Sequence, residues 1–294
     1  MLQKIHTIFP KSSVERVYAA ILSRRRREVN SLSEKDSQIV DTLRHEGTCI
    51  TSLNDLSFPA NSRLLDATNR ILTKTKSENG KTFPLRVGKR QIVTEYPEIF
   101  LWGLEERLLC IIESYFGYPA AFLGVSHRVE VPDGQQTGTR LWHLDGEDHC
   151  MIRVIVYLTD VGIEGGPFEY IPRSIRPTQA PLHRLYCQIF DQEKFDRIYR
   201  KISDADMQNM VPSKYWIPCT GVQGTVVFTD TANVFHRGKV PQPNHPARSA
   251  LFFTYTSRHP KRLKLSKQVF PEELLLLMAD RFTQRQRECV LAWR

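Results

Sequence analysis

The sequence predicts a mainly β fold, a barrel or jelly roll with α-helices packed outside it, and three observations lead there. From about residue 119 the chain turns into short β-rich runs separated by glycine and proline: AAFLGVSHRVEV, MIRVIVYL, PFEYIP, GTVVFTD and RSALFFTYT. Runs of this length, rich in β-branched and aromatic residues, read as strands. The preceding third carries the 3.6-residue apolar period of amphipathic helices instead. At 294 residues the chain can bury a full-sized core, and one large domain fits it better than two independent ones.

Taken in order, Ser12 with Glu15 forms a capping-box pattern ahead of Val14, Val17, Tyr18 and Ile21. Ser33 begins a second helix that carries Ile39, Val40 and Leu43 and stops at Gly47. Residues 61–74 and 97–116 repeat the period, the latter opening with Pro97 and closing at Gly117. Residues 1–118 are therefore a helical support, and 119–257 the β core. A helical insertion at about 175–215, centred on DQEKFDRIYRKISDADMQNM, interrupts that core, and 258–294 closes the chain with the helix PEELLLLMADRFTQRQRECVLAW. No internal repeat or low-complexity segment breaks this order.

Composition narrows the class. The chain is 41% hydrophobic and 25% charged, as expected of an ordinary globular protein. Its longest apolar stretches fall far short of the roughly 18 residues a membrane span needs. The opening MLQKIHTIFPKSSVERV has charges and a proline where a secretory signal has its apolar core. The six cysteines form no C-x-x-C pair, which argues against a zinc knuckle or a disulfide framework, so a reduced, cytoplasmic protein is expected. The net charge of +9 attracts anions, either polyanions or small charged substrates. Its clusters, Arg24 to Arg27 and RHPKRLKLSK, read first as solvated surface.

The chemistry concentrates in LWHLDGEDHC, residues 141–150. His143 and Asp145 are two apart, so an extended segment projects both to one side. A third ligand would complete the two-histidine, one-carboxylate facial arrangement of non-heme Fe(II) oxygenases, which leaves positions open for substrate, O2 or water. His149, His183, His236, His259 and His245 compete for that place. His236 has the best setting: it follows the apolar run GTVVFTDTANVF and precedes a Gly/Pro-rich turn and a new strand. Twelve residues later, Arg248 heads the strand RSALFFTYT, where a guanidinium among apolar neighbours can clamp a carboxylate bidentately.

Together HLD (143–145), YLTDVGIEGGPFEYIPRS (157–174), GTVVFTDTANVFHRG (224–238) and Arg248 resemble the phytanoyl-CoA dioxygenase-like branch of the Fe(II)/2-oxoglutarate oxygenases. The resemblance covers roughly residues 119–257. It implies a double-stranded β-helix, a cupin-like jelly roll whose two sheets enclose the iron. It also implies Fe(II) held by His143, Asp145 and His236, with Arg248 pairing the C5 carboxylate of the cosubstrate 2-oxoglutarate. Arg128, fifteen residues before His143, is a further expected cosubstrate contact. The implied reaction consumes 2-oxoglutarate and O2, releases succinate and CO2, and hydroxylates or otherwise oxidises a C–H bond of a small-molecule metabolite. Halogenases of the family carry a small residue in place of the acid, so Asp145 speaks against halogenation.

Two rival readings follow from the same residues. Nucleic-acid dealkylases of the superfamily carry a second arginine six residues after the 2-oxoglutarate arginine. That position is Thr254 here, so nucleic acid is not the expected partner despite the charge. A non-catalytic barrel kept for binding would have shown the loss of a key residue, and all four are present. An anionic or carrier-bound small molecule suits the positive balance. The loop Asp133–Arg140 and the 175–215 insertion are expected lids, because specificity resides on loops set upon a rigid scaffold.

Overall fold

A computed structural model describes residues 32–78, 81–175, 201–262 and 269–291. The expected helix at Ser12 to Ile21, His183 and most of the 175–215 insertion lie outside these residues. The strands in chain order are β1 (Thr48–Ser52), β2 (Thr75–Glu78), β3 (Lys81–Pro84), β4 (Ala120–Glu130), β5 (Ile152–Tyr157), β6 (Phe168–Tyr170), β7 (Ile217–Cys219), β8 (Thr225–Asp230), β9 (His236–Gly238) and β10 (Arg248–Ser257). Five build a large antiparallel sheet in the order β1-β8-β5-β10-β4, and three a small one in the order β7-β6-β9. β2 and β3 pair with each other. Two facing sheets with helices outside are the jelly roll expected from the sequence.

Strand alternation explains how one sheet serves two cores. On β10, Leu251, Phe253 and Tyr255 pack with Val154, Val156, Val226 and Phe228 against Leu43, Leu64, Trp102 and Ile112 of the helical layer. The intervening Ala250 and Phe252 join Ile155, Tyr157 and Val227 against Phe168, Tyr170 and Cys219 of the small sheet. β5 is buried on both faces, hence its nearly unbroken apolar run. No helix among the described residues is long and apolar enough to cross a membrane.

Two expected helices are broken. The period over 97–116 divides into Pro97–Trp102 and Glu106–Phe116 around Gly103. There the backbone lies against the sheet: a Cβ on Gly103 would stand 2.6 Å from Phe122 and 2.7 Å from Phe253, and the Tyr255 hydroxyl donates to the Gly103 carbonyl at 2.6 Å. The C-terminal helix divides into Glu272–Leu276 and Gln284–Leu291, because Phe282 turns inward in extended conformation and is buried. Within the insertion, the described helix is Asp204–Met210. β1 was not foreseen; TCITS is short and polar, and it becomes a strand by pairing with β8.

His127 ties the segment before residue 92 to the large sheet. Its Nδ1 accepts from the Val87 N–H at 3.1 Å and its Nε2 meets the Ser249 hydroxyl at 2.8 Å. Burial, helped by the charge of Arg86, pushes its pKa down to about 4 from the usual 6.5. Below pH 6.5 the unfolded chain therefore takes up a proton that the folded chain refuses. The stability contributed by neutral His127 is complete above that pH and is lost as pH falls toward 4, by up to about 3 kcal/mol. Urea denaturation between pH 7 and 4 should show a shallower acid loss in His127→Asn than in wild type. Parallel curves would show that His127 does not set the slope.

Candidate metal centre

His143 and His236 face each other across an antiparallel bridge. The His143 N–H donates to the His236 carbonyl and the His236 N–H to the His143 carbonyl, both at 3.0 Å. Directly opposed residues share a side, so the two rings meet with centroids 4.2 Å apart. Asp145 is fixed by its own N–H, which donates to the Thr231 carbonyl at 2.9 Å, and its carboxylate reaches both rings. His143 Nε2 lies 3.8 Å from one oxygen and His236 Nε2 3.9 Å from the other. Ligand and metal in such sites are separated by about 2.1 Å, so two donors on one ion stand at most about 4.2 Å apart, and both spacings comply.

Protonation also suits a cation. Each histidine Nδ1 lies against a backbone carbonyl, that of Leu141 at 2.8 Å and that of Val234 at 3.0 Å. With the proton held there, each Nε2 presents its lone pair toward Asp145. Burial, with the neighbouring His236 adding to it, holds His143 well below its usual pKa; burial pushes His236 down to about 4. Both rings are neutral at pH 7. Burial opposes ionisation of Asp145, but Arg153 and the two histidines outweigh it and hold the carboxyl well below the usual range. Two neutral imidazoles and one carboxylate on one face form a donor set that fits Fe(II).

Arg153 was visible in the sequence only as the residue that interrupts MIRVIVYL. Its Nε donates to Asp145 at 2.7 Å, its Nη1 to the Thr254 hydroxyl at 3.1 Å, and its Nη2 lies 3.9 Å from Glu147. The register makes this possible: Arg153 pairs with Thr254 across β5 and β10, on the inner face. The same contact draws Glu147 toward the centre. Asp148 accepts from the Ser257 N–H, and the Cys150 thiol donates to Asp230. His245 packs on Gly165 and His259 is exposed, so neither joins the cluster.

Trp142 and Arg237 flank the histidines and face the opposite way. The Arg237 guanidinium lies 4.7 Å from the Trp142 ring and 5.4 Å from Trp216, and its Nε donates to Glu169 at 2.8 Å. Asp204 accepts from both Arg237 and Trp142. Trp142 and Phe235 belong to an apolar cluster with Leu144, Ile202 and Met207, which answers their role as packing.

Arg248 is buried at the head of β10, and its Nη1 has no hydrogen-bond partner among the described residues. A Cβ on Gly238, two residues beyond His236, would stand 3.0 Å from its Nη2, so this glycine gives the guanidinium its room. Glu130, opposite Arg248 on β4, is taken by Arg140 at 3.0 Å. Arg128 pairs with Ala250 on the same inner face, and its guanidinium lies 4.5 Å from the Phe252 ring. The structure thus brings His143, Asp145 and His236 together, with Arg248 and Arg128 on the adjoining wall.

No family model matches the chain and no curated protein matches it. Among solved structures it is similar to EctD from S. alaskensis with bound Fe, at 14% identity and a TM-score of 0.52, over 80% of this chain and 83% of that one. It is likewise similar to EctD with 2-oxoglutarate and 5-hydroxyectoine, at 13% identity and a TM-score of 0.51, over 84% and 86%. The non-heme alpha-ketoglutarate-dependent epimerase SnoN from nogalamycin biosynthesis aligns at 13% identity with a TM-score of 0.48, over 76% and 82%. At such identities the likeness is one of architecture, and the chain has the jelly-roll fold of EctD.

Proposed function

We propose that this protein is an Fe(II)/2-oxoglutarate-dependent oxygenase of the phytanoyl-CoA dioxygenase-like branch. It oxidises a C–H bond of a small-molecule substrate, most simply by hydroxylation. The observation that carries this reading is the convergence of three metal-competent donors beside a buried guanidinium with an unused N–H. EctD, whose fold the chain shares, was crystallised with Fe and with 2-oxoglutarate.

Iron, 2-oxoglutarate and O2 would supply the oxidising chemistry; the chain supplies position and exclusion of water. His143, Asp145 and His236 would hold the metal through atoms already oriented by backbone hydrogen bonds. Arg248 would pair with the C5 carboxylate of the cosubstrate, in the space that Gly238 leaves. Ile155, Tyr157, Phe168, Val227 and Phe252 form an apolar wall, which strengthens charge pairing inside it. Asp145 fills the place where a halogenase needs a gap. Thr254, where a dealkylase carries a second arginine, is bound to Arg153, which favours a small-molecule substrate over nucleic acid. The free thiols of the described cysteines suit the reducing cytoplasm.

Anaerobic addition of Fe(II) and 2-oxoglutarate should raise a visible metal-to-ligand charge-transfer band, and admission of O2 should release succinate. His143→Ala should lose both. An undiminished band in that variant would overturn the assignment.

A further inference from the structure

β4 is the outer strand of the large sheet among the described residues, and a cavity of about 500 Å³ lies between β4, the segment from Arg86 to Ile92, and Thr139. A volume in this range suits a small molecule. Alternation along β4 turns Ser126, Arg128 and Glu130 to the inner face, opposite Phe252, Ala250 and Arg248; all three line the cavity, as do Val125, His127 and Val129 of the other face. Arg128 therefore touches both the cavity and the surroundings of the metal centre.

Two of the arginines around the centre have close acidic partners. Arg153 is bound to Asp145, and Arg140 to Glu130 and Asp133. On the oxygenase reading, Arg248 takes one carboxylate of 2-oxoglutarate and the metal takes the other. Arg128 remains: half-buried on Phe252, it makes no hydrogen bond or ion pair among the described residues. Two residues away, the buried Ser126 hydroxyl also has no partner among the described residues. Arg86, exposed at the rim, adds a further positive charge. A cation withdrawn from water without a hydrogen-bonded counter-charge is costly, and a ligand that brings such an anion recovers that cost.

We propose that the substrate is a small organic anion, a carboxylate or a phosphate ester, whose charged group is anchored by Arg128 and Ser126 in this cavity. The proposal rests on the oxygenase reading and reassigns Arg128 from cosubstrate to substrate. The field of Lys201, which reaches Arg128 and Asp145, reinforces the preference for an anion.

The test uses the full chain with Fe(II) and 2-oxoglutarate under anaerobic conditions. Calorimetric titrations compare phenylacetate and phenyl phosphate with the neutral phenylacetamide and benzyl alcohol. At least one anion should bind, with the two arms reporting which class is preferred, and neither neutral compound should. Arg128→Leu and Arg128→Met should weaken the anion tenfold or more, Arg128→Lys should restore part of the binding, and the 2-oxoglutarate affinity should change less than twofold. Melting curves matching wild type exclude misfolding as the cause. The proposal is overturned if neither anion binds, if binding is unaffected by the substitutions, or if both variants weaken 2-oxoglutarate tenfold, which would return Arg128 to the cosubstrate. A wild type without the charge-transfer band would instead remove the oxygenase reading, and the proposed substrate with it.

Discussion

Arg248→Leu is expected to weaken 2-oxoglutarate binding by about 100-fold while leaving the ligand-free protein at least as stable as the wild type. The two effects have opposite signs for one reason. Arg248 is buried, burial lowers its pKa, and its Nη1 donates to nothing among the described residues. An unused buried donor costs about 1–3 kcal/mol, which leucine avoids. The C5 carboxylate of 2-oxoglutarate, by contrast, would lose its only buried cation, and truncating one side of such a pair costs about 2–5 kcal/mol, with 100-fold lying inside that range. Titration of the charge-transfer band gives the affinity, and urea denaturation of the metal-free protein gives the stability. Gly238→Val should imitate the first effect, since its side chain intrudes where Nη2 now lies. Unchanged 2-oxoglutarate affinity in Arg248→Leu would remove that residue from the site.

What the sequence made legible follows from how local each signal is. H-x-D needs only two residues in extended backbone to share a side, and His236 and Arg248 each stand beside a strand whose apolar run is plain. The helix from Ser33 to Gly47 was equally clear, because its Ser33 cap, which accepts from the Asp36 N–H, and its apolar period agree. Contacts set by register were not legible. The interruption of MIRVIVYL at Arg153 could be seen, but its meaning depends on the pairing of β5 with β10. The inward facing of Arg128 likewise depends on the β10–β4 register, which shifts at a bulge between Thr254 and Tyr255. β9 is three residues long, and the opposed His143 defines its start better than its own composition does. The break at Gly103 comes from aromatic packing against the sheet and that at Phe282 from burial of its ring beside Phe100, tertiary demands that a helical period does not reveal.

The last expected result separates the two partners of Asp145. Asp145→Asn keeps the shape and removes the charge, and it should lower Fe(II) affinity by about 100-fold or more because the only anionic donor is gone. It should also destabilise the metal-free protein by about 3 kcal/mol, the cost of leaving a buried cation without its partner. That cation is Arg153, whose side chain is 8% exposed and whose remaining acid, Glu147, lies 3.9 Å away against 2.7 Å for Asp145. Burial raises the pKa of Glu147, with the charge of Asp145 adding to it, so it is a weaker substitute. Adding Arg153→Leu should therefore return most of the lost stability, since no buried cation is then left without its counter-charge, while Fe(II) affinity stays low. A double-mutant cycle measures the coupling directly. If the double variant is as unstable as the sum of the two single ones, Asp145 and Arg153 are energetically independent, and the 2.7 Å contact has no part in holding the carboxylate toward the metal.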